Sequence, residues 1–144
     1  MTMETEKPMH VLGDRVILKA CGDARGVDAS MVEVTTQPGG GPPLHRHSRE
    51  DEMFYVLEGR LRIWRGDETF EAGAGEALLL PRGVAHTFRN DGDVPSRMLV
   101  TMVPAGFEGF FRECSERGLT PEHADAVVDV AARYGLEILG PPPG

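Results

Sequence analysis

Before Pro104 the apolar residues come in short runs: Val16 to Leu18, Met31 to Thr35, Phe54 to Leu57, Leu61 to Trp64, Ala77 to Leu80, Thr87-Phe88 and Arg97 to Val103. Each is the length of a strand and rich in β-branched, aromatic or leucine side chains. Between them lie clusters of turn formers at Gly22-Asp23, Pro38 to Pro43, Arg65-Gly66-Asp67, Gly73 to Gly75 and Asn90 to Pro95. Many short strands with turns at near-regular spacing predict an all-β, antiparallel sandwich or barrel.

Beyond Pro104 the period changes. Phe107, Phe110, Phe111 and Cys114 follow the i, i+3, i+4, i+7 rule of an amphipathic helix, which Gly118 should end. A second helix is expected with Thr120 as N-cap, Pro121 in its first position, an apolar stripe of Ala124, Val127, Val128 and Ala131, and Gly135 as its stop. Both helices are expected to pack outside the barrel. A sharper alternative makes Phe107, Phe110 or Phe111 part of a lid over one barrel mouth. Pro141-Pro142-Pro143 forbids further helix, so the closing segment is expected to lie extended on its own or a partner's surface.

The chain of 144 residues fits one domain. A barrel core spans about 11–104, a helical extension about 105–135 and an extended tail 136–144. The net charge of −8 argues against nucleic acid as a partner, since phosphate binding needs a concentrated basic surface. Arg60, Arg62 and Arg65, interleaved with apolar residues, read as the solvent face of a strand. The apolar run Ala77 to Leu80 is too short to span a bilayer. Met-Thr-Met-Glu-Thr-Glu-Lys at the start has no basic segment followed by an apolar one, so a cytoplasmic location is expected. Cys21 and Cys114 are expected as free structural thiols, outside any metal motif.

Chemistry enters with His45, His47, Glu52 and His86. In an extended strand His45 and His47 share a face, with Arg46 on the other. Glu52, at the head of the Met53 to Leu57 run, can return to that face if the run is a neighbouring strand. His86 follows the turn shaped by Pro81 and Gly83. Imidazole and carboxylate donors without a thiolate suit one divalent transition metal: iron, manganese, nickel, copper or zinc. The adjacent acids Glu50 and Asp51 are read as turn residues facing water.

The segment GGGPPLHRHSREDEMFYVLEG resembles the first motif of the cupin superfamily: Gly39, five residues, His45-X-His47, four residues, Glu52, six residues, Gly59. GEALLLPRGVAHTFRN resembles the second: Gly75, five residues, Pro81-X-Gly83, two residues, His86, three residues, Asn90. The resemblance implies a cupin double-stranded β-helix, a small jelly-roll monocupin of the quercetin dioxygenase-like kind, with His45, His47, Glu52 and His86 as metal ligands. Glu52 has a second possible role as a catalytic general base. By strand parity the substrate pocket should include Phe54 and Val56 beside Glu52, and Val84 and Phe88 beside His86. Either Met98, Val100 and Met102 or Leu99, Thr101 and Val103 should add a wall. The expected activity is that of a metal-dependent enzyme on a small chelating phenol- or enol-type molecule, dioxygenase-like first. Redox-neutral Lewis-acid chemistry (isomerase, decarboxylase or polyketide cyclase) and non-catalytic small-molecule binding are the alternatives. Unpaired sheet edges in small jelly rolls make a homodimer the expected assembly.

Overall fold

The computed structural model describes residues 7–23, 25–141 and 143. The stretch read above for a leader lies outside the described residues through residue 6, as does Pro142. Strand β1 (Met9–Val11) is followed by β2 (Asp14–Cys21), β3 (Ser30–Thr36), β4 (Leu44–His47), β5 (Asp51–Glu58), β6 (Arg60–Arg65), β7 (Glu68–Gly73), β8 (Ala77–Leu80), β9 (His86–Arg89) and β10 (Ser96–Val103). Helices α1 (Glu108–Glu116) and α2 (Ala124–Arg133) and a last strand, β11 (Leu136–Gly140), complete the order. The strands form two antiparallel sheets, ordered β1-β2-β3-β10-β5-β8 and β11-β4-β9-β6-β7. Between β3 and β10 the chain passes repeatedly from one sheet to the other, so strands far apart in sequence become neighbours. This is the predicted jelly roll, with all seven apolar runs in strands.

Alternation along the strands builds the core. Val16, Leu18, Val32, Val34, Phe54 and Val56 are buried on the inner face of the larger sheet, and Leu61, Ile63 and Phe88 face them from the other. On β10 the inward set is Met98, Val100 and Met102, all buried. Each such side chain stabilises the fold by roughly 1.5–3 kcal/mol. Arg60 and Arg62 point outward as expected. Arg65 has the opposite parity, and its guanidinium donates to the Leu79 carbonyl at 2.8 Å, tying the β6–β7 hairpin to β8.

The outer ends of the two motifs, Gly39 and Asn90, meet through their backbones. Gly39 N–H donates to the Asn90 carbonyl at 2.7 Å, and Asn90 N–H to that of Gly40 at 3.0 Å. The Asn90 amide also donates to the carbonyls of Thr36 and Val94. The next residue must be glycine for want of space: a Cβ at Gly41 would lie 2.1 Å from the Phe88 carbonyl oxygen.

Two expectations for the tail are revised, and that of an extended closing segment becomes more definite. Helix α2 begins at Ala124, later than expected. Thr120 is not its N-cap, and Pro121 lies in a preceding turn, in which His123 N–H donates to the Thr120 carbonyl at 2.9 Å. The segment after Gly135 is a regular strand, β11, paired with β4. Helix α1 lies against β1, and its aromatic face reaches into the barrel mouth. Cys21 and Cys114 are not joined in a disulfide. Among the described residues no helix is long and apolar enough to cross a membrane.

Candidate metal centre

His45 and His47 stand on the inner face of β4, and His86 opens β9; His45 and His86 are direct cross-strand partners. The backbone around them is held by the second motif's turn. Gly83, at φ +82°, donates its N–H to the His47 carbonyl at 2.7 Å. Glu52 comes from β5 in the facing sheet, so the carboxylate reaches across the sandwich and not from a neighbouring strand. All four side chains are buried.

The rings are closely grouped, with centroid separations of 4.4 Å for His45–His86, 5.3 Å for His45–His47 and 5.5 Å for His47–His86. One ligand atom from each lies within 4.8 Å of the others. Each Nδ1 has an acceptor turned away from the centre: the Pro43 carbonyl at 2.8 Å from His45, Glu50 Oε1 at 3.2 Å from His47, and the Val84 carbonyl at 3.3 Å from His86. Donation from Nδ1 leaves the Nε2 lone pairs for the centre.

Glu52 completes the group. Its Oε1 is 3.2 Å from His47 Nε2 and its Oε2 is 2.8 Å from His86 Nε2. Neither Glu52 Oε2 nor His86 Nε2 has a hydrogen-bond partner of sound geometry, despite their proximity. Two buried lone-pair atoms this close repel unless positive charge lies beside them. A divalent ion would supply that charge, and three imidazoles with one carboxylate are a donor set that fits it.

For His45 and Glu52 the electrostatics favour the ligating forms, while His47 is drawn toward its protonated form when no other cation stands beside Glu52. Burial, aided by His86 and His47, drives the His45 imidazole down to about 3, so it is neutral and free to donate a lone pair. Burial would raise Glu52, but the His47 charge and then the His86 imidazole hold it well below the usual carboxylate range. For His47 burial acts downward, and the carboxylates of Glu52 and Glu50 more than offset it.

Glu50 is therefore no solvated turn residue. It is 3 % exposed and orients His47, whereas Asp51 faces water and pairs with Arg82. The run Glu50-Asp51-Glu52 carries a usable signal, since strand alternation puts its first and third acids on one face.

A cavity of about 90 Å³ opens beside the quartet. Phe54 and Phe88 line it, as parity predicts. Val56 and Val84 do not. Val56 faces in but is fully packed in the core, and Val84 precedes β9, half-buried beside the Gly66 turn, where strand parity does not apply. The walls that sequence reasoning missed are Val11, Leu12 and Asp14 of the first hairpin, Pro42 and Pro43, and Leu136 and Ile138 of β11. Phe107 roofs the histidines, its ring edge-on to His47 at 4.5 Å, with Phe110 and Phe111 beside it. The lid arrangement, the less expected of the two, describes this helix better than packing outside the barrel.

The Cupin_2 family, described as a cupin domain, matches residues 32–102. The chain belongs to the cupin superfamily. MJ1618 of Methanocaldococcus jannaschii is 32 % identical over 56 % of this chain and 64 % of its own. CurC of Streptomyces cyaneus, a polyketide synthase protein by name, is 38 % identical over 47 % of this chain and 44 % of its own. Quercetin 2,3-dioxygenase of Bacillus subtilis is 29 % identical over 61 % of this chain and 26 % of its own. The chain thus spans less than two thirds of each of these relatives. Among solved structures, KdgF from Halomonas sp. superposes with a TM-score of 0.63 at 19 % identity, over 74 % of this chain and 92 % of that one, a likeness of fold.

Proposed function

We propose that the protein is a metal-dependent cupin enzyme acting on a small, oxygen-rich phenol or enol, with dioxygenase-type oxidation as its reaction. The observation that carries this is the convergence of His45, His47, His86 and Glu52, with two buried polar atoms unsatisfied, at one end of an apolar cavity. One divalent ion per chain would polarise a bound oxygen atom and assist electron transfer. The protein's own part is separate. Phe54, Phe88 and Phe107 exclude water and hold a flat ligand, and Glu52, kept ionised, is the acceptor for a ligand hydroxyl proton at Oε2. The cavity is smaller than the 150 Å³ or so known to hold a benzene ring. A ligand of even one ring therefore requires the Phe107 roof to shift.

Redox-neutral enolate chemistry is the second reading, supported by the likeness to CurC, the highest identity among the relatives described above. The two are separated by metal analysis and oxygen uptake. Protein purified without chelator should carry about one equivalent of metal, and His86→Ala should lose it; full metal occupancy in that variant would overturn the ligand assignment. Dioxygen consumption with catechol or an enolisable diketone supports oxidation, while an undiminished anaerobic rate and activity with zinc would replace it with the redox-neutral reading. The assembly we propose is a homodimer, formed where the unpaired edge of β8 adjoins Met53, Tyr55 and Leu79 on the outer face of the larger sheet.

A further inference from the structure

The cavity has a polar group at its other end that the metal centre does not use. Strands β2, β3, β10 and β5 share one inner row: Val16 pairs with Val34, Val34 with Met98 and Met98 with Val56. Glu52 lies four residues to one side of that row. Asp14 lies two residues to the other side, on the first residue of β2, and still lines the same cavity as His45 and His47.

Apolar residues, among them Leu12, Val16, Val34, Pro42 and Pro43, line the cavity that Asp14 shares. Among the described residues no cation forms an ion pair with it. Burial raises its carboxyl to about 7, and a hydrogen bond with the Thr36 side chain offsets this only in part. Asp14 is half-buried, so its charged form loses part of its hydration there. The turn beside it is also strained. Leu12, at φ +52°, is the only non-glycine described with a positive φ, and its position turns it to the cavity wall. An outer groove of about 490 Å³ shares Leu12, beside the Asp14 turn, with the inner cavity, together with Pro43 and Ile138, which adjoin His45.

We propose that Asp14 is a second ligand-binding point, taking a hydroxyl group of a ligand whose opposite end reaches the three histidines. The inference rests on the small-ligand reading of the cavity given above. A hydroxyl both donates and accepts, so it satisfies Asp14 in either protonation state, whereas a ligand carboxylate is repelled by the ionised form. The predicted ligand class is thus a compact ring or chain with oxygens at both ends.

Hydroquinone and 4-methylphenol test this directly. They differ only in whether the far substituent is a hydroxyl or a methyl group. Their dissociation constants would be measured anaerobically by calorimetry on zinc-loaded and metal-free protein. Wild type should prefer hydroquinone by about tenfold, and Asp14→Leu should reverse the order with zinc content unchanged. If the leucine variant does not fold, Asp14→Asn should reduce the preference at least about threefold. The same order and ratio in wild type and variant, or no binding of either probe, overturns the proposal. Failure of the metal reading would show separately, as a wild type that takes up no zinc, and the ratio would then be read in the metal-free protein.

Discussion

Glu50 and Glu52 are two residues apart and chemically alike, yet one faces the centre and the other stands behind a ligand. Glu50 Oε1 receives the Nδ1 proton of His47, which fixes the ring's tautomer and turns Nε2 inward. Glu50→Gln keeps the shape and can keep a hydrogen bond, but it removes the charge that raises His47. Metal affinity, read by competition with a chromophoric chelator, should fall about 10- to 100-fold with little change in melting temperature. The four candidate ligands were singled out because their spacing matches the two cupin motifs; only the shared face of His45 and His47 follows from local alternation. Glu50 was read as a turn residue facing water although its partner, His47, is only three residues away, and Asp14 was not singled out because the cavity that it lines forms only when distant strands come together. Val84 misled for the opposite reason: parity was extended past the end of a strand into a turn.

Strand β4 is only four residues long and carries two of the histidines. It meets β9 through the His45–His86 pair and meets β11 along most of its length, with Leu136 opposite His47 and Ile138 opposite His45. The last strand is therefore the main brace of the metal-bearing one. Its run, Leu136 to Gly140, lacks a clear alternating pattern, and its partner lies some way back in the sequence, so only an extended segment could be expected there. The two helices were legible from their apolar periodicity, although α2 buries Val127, Val130 and Ala131 and leaves Ala124 and Val128 exposed, and the roofing by Phe107 was only the less expected alternative, since a stripe does not say what it covers. Gly135 sets the entry to β11 at φ +72°, and a Cβ there would lie 2.8 Å from Ser48 Oγ and 2.9 Å from Arg49 Nε. Gly135→Ala should cost about 1–2 kcal/mol in urea unfolding and weaken metal uptake as β4 loosens.

The two-sheet architecture was readable because short apolar runs between turn clusters admit few other folds. Which strands would be neighbours was not readable, because jelly-roll pairing joins distant segments. The larger sheet leaves β8 as an unpaired edge, with Leu79 63 % exposed beside Met53 and Tyr55. Light scattering should find a dimer for the wild type, and Leu79→Lys should shift it to monomer without loss of bound metal. Retention of the dimer would place the contact elsewhere. The clamp between Gly39–Gly40 and Asn90 bears on time as well as shape. His45 and His86 meet only after the intervening loop has closed, and β4 gains its outer brace only once residues 136–140 have docked. Closing long loops is slow. A chain emerging from the ribosome thus has His45 and His47 early but the braced group of four only when nearly the whole of this sequence is available, so on the proposed reading an ion is captured by a folded cage and does not nucleate it.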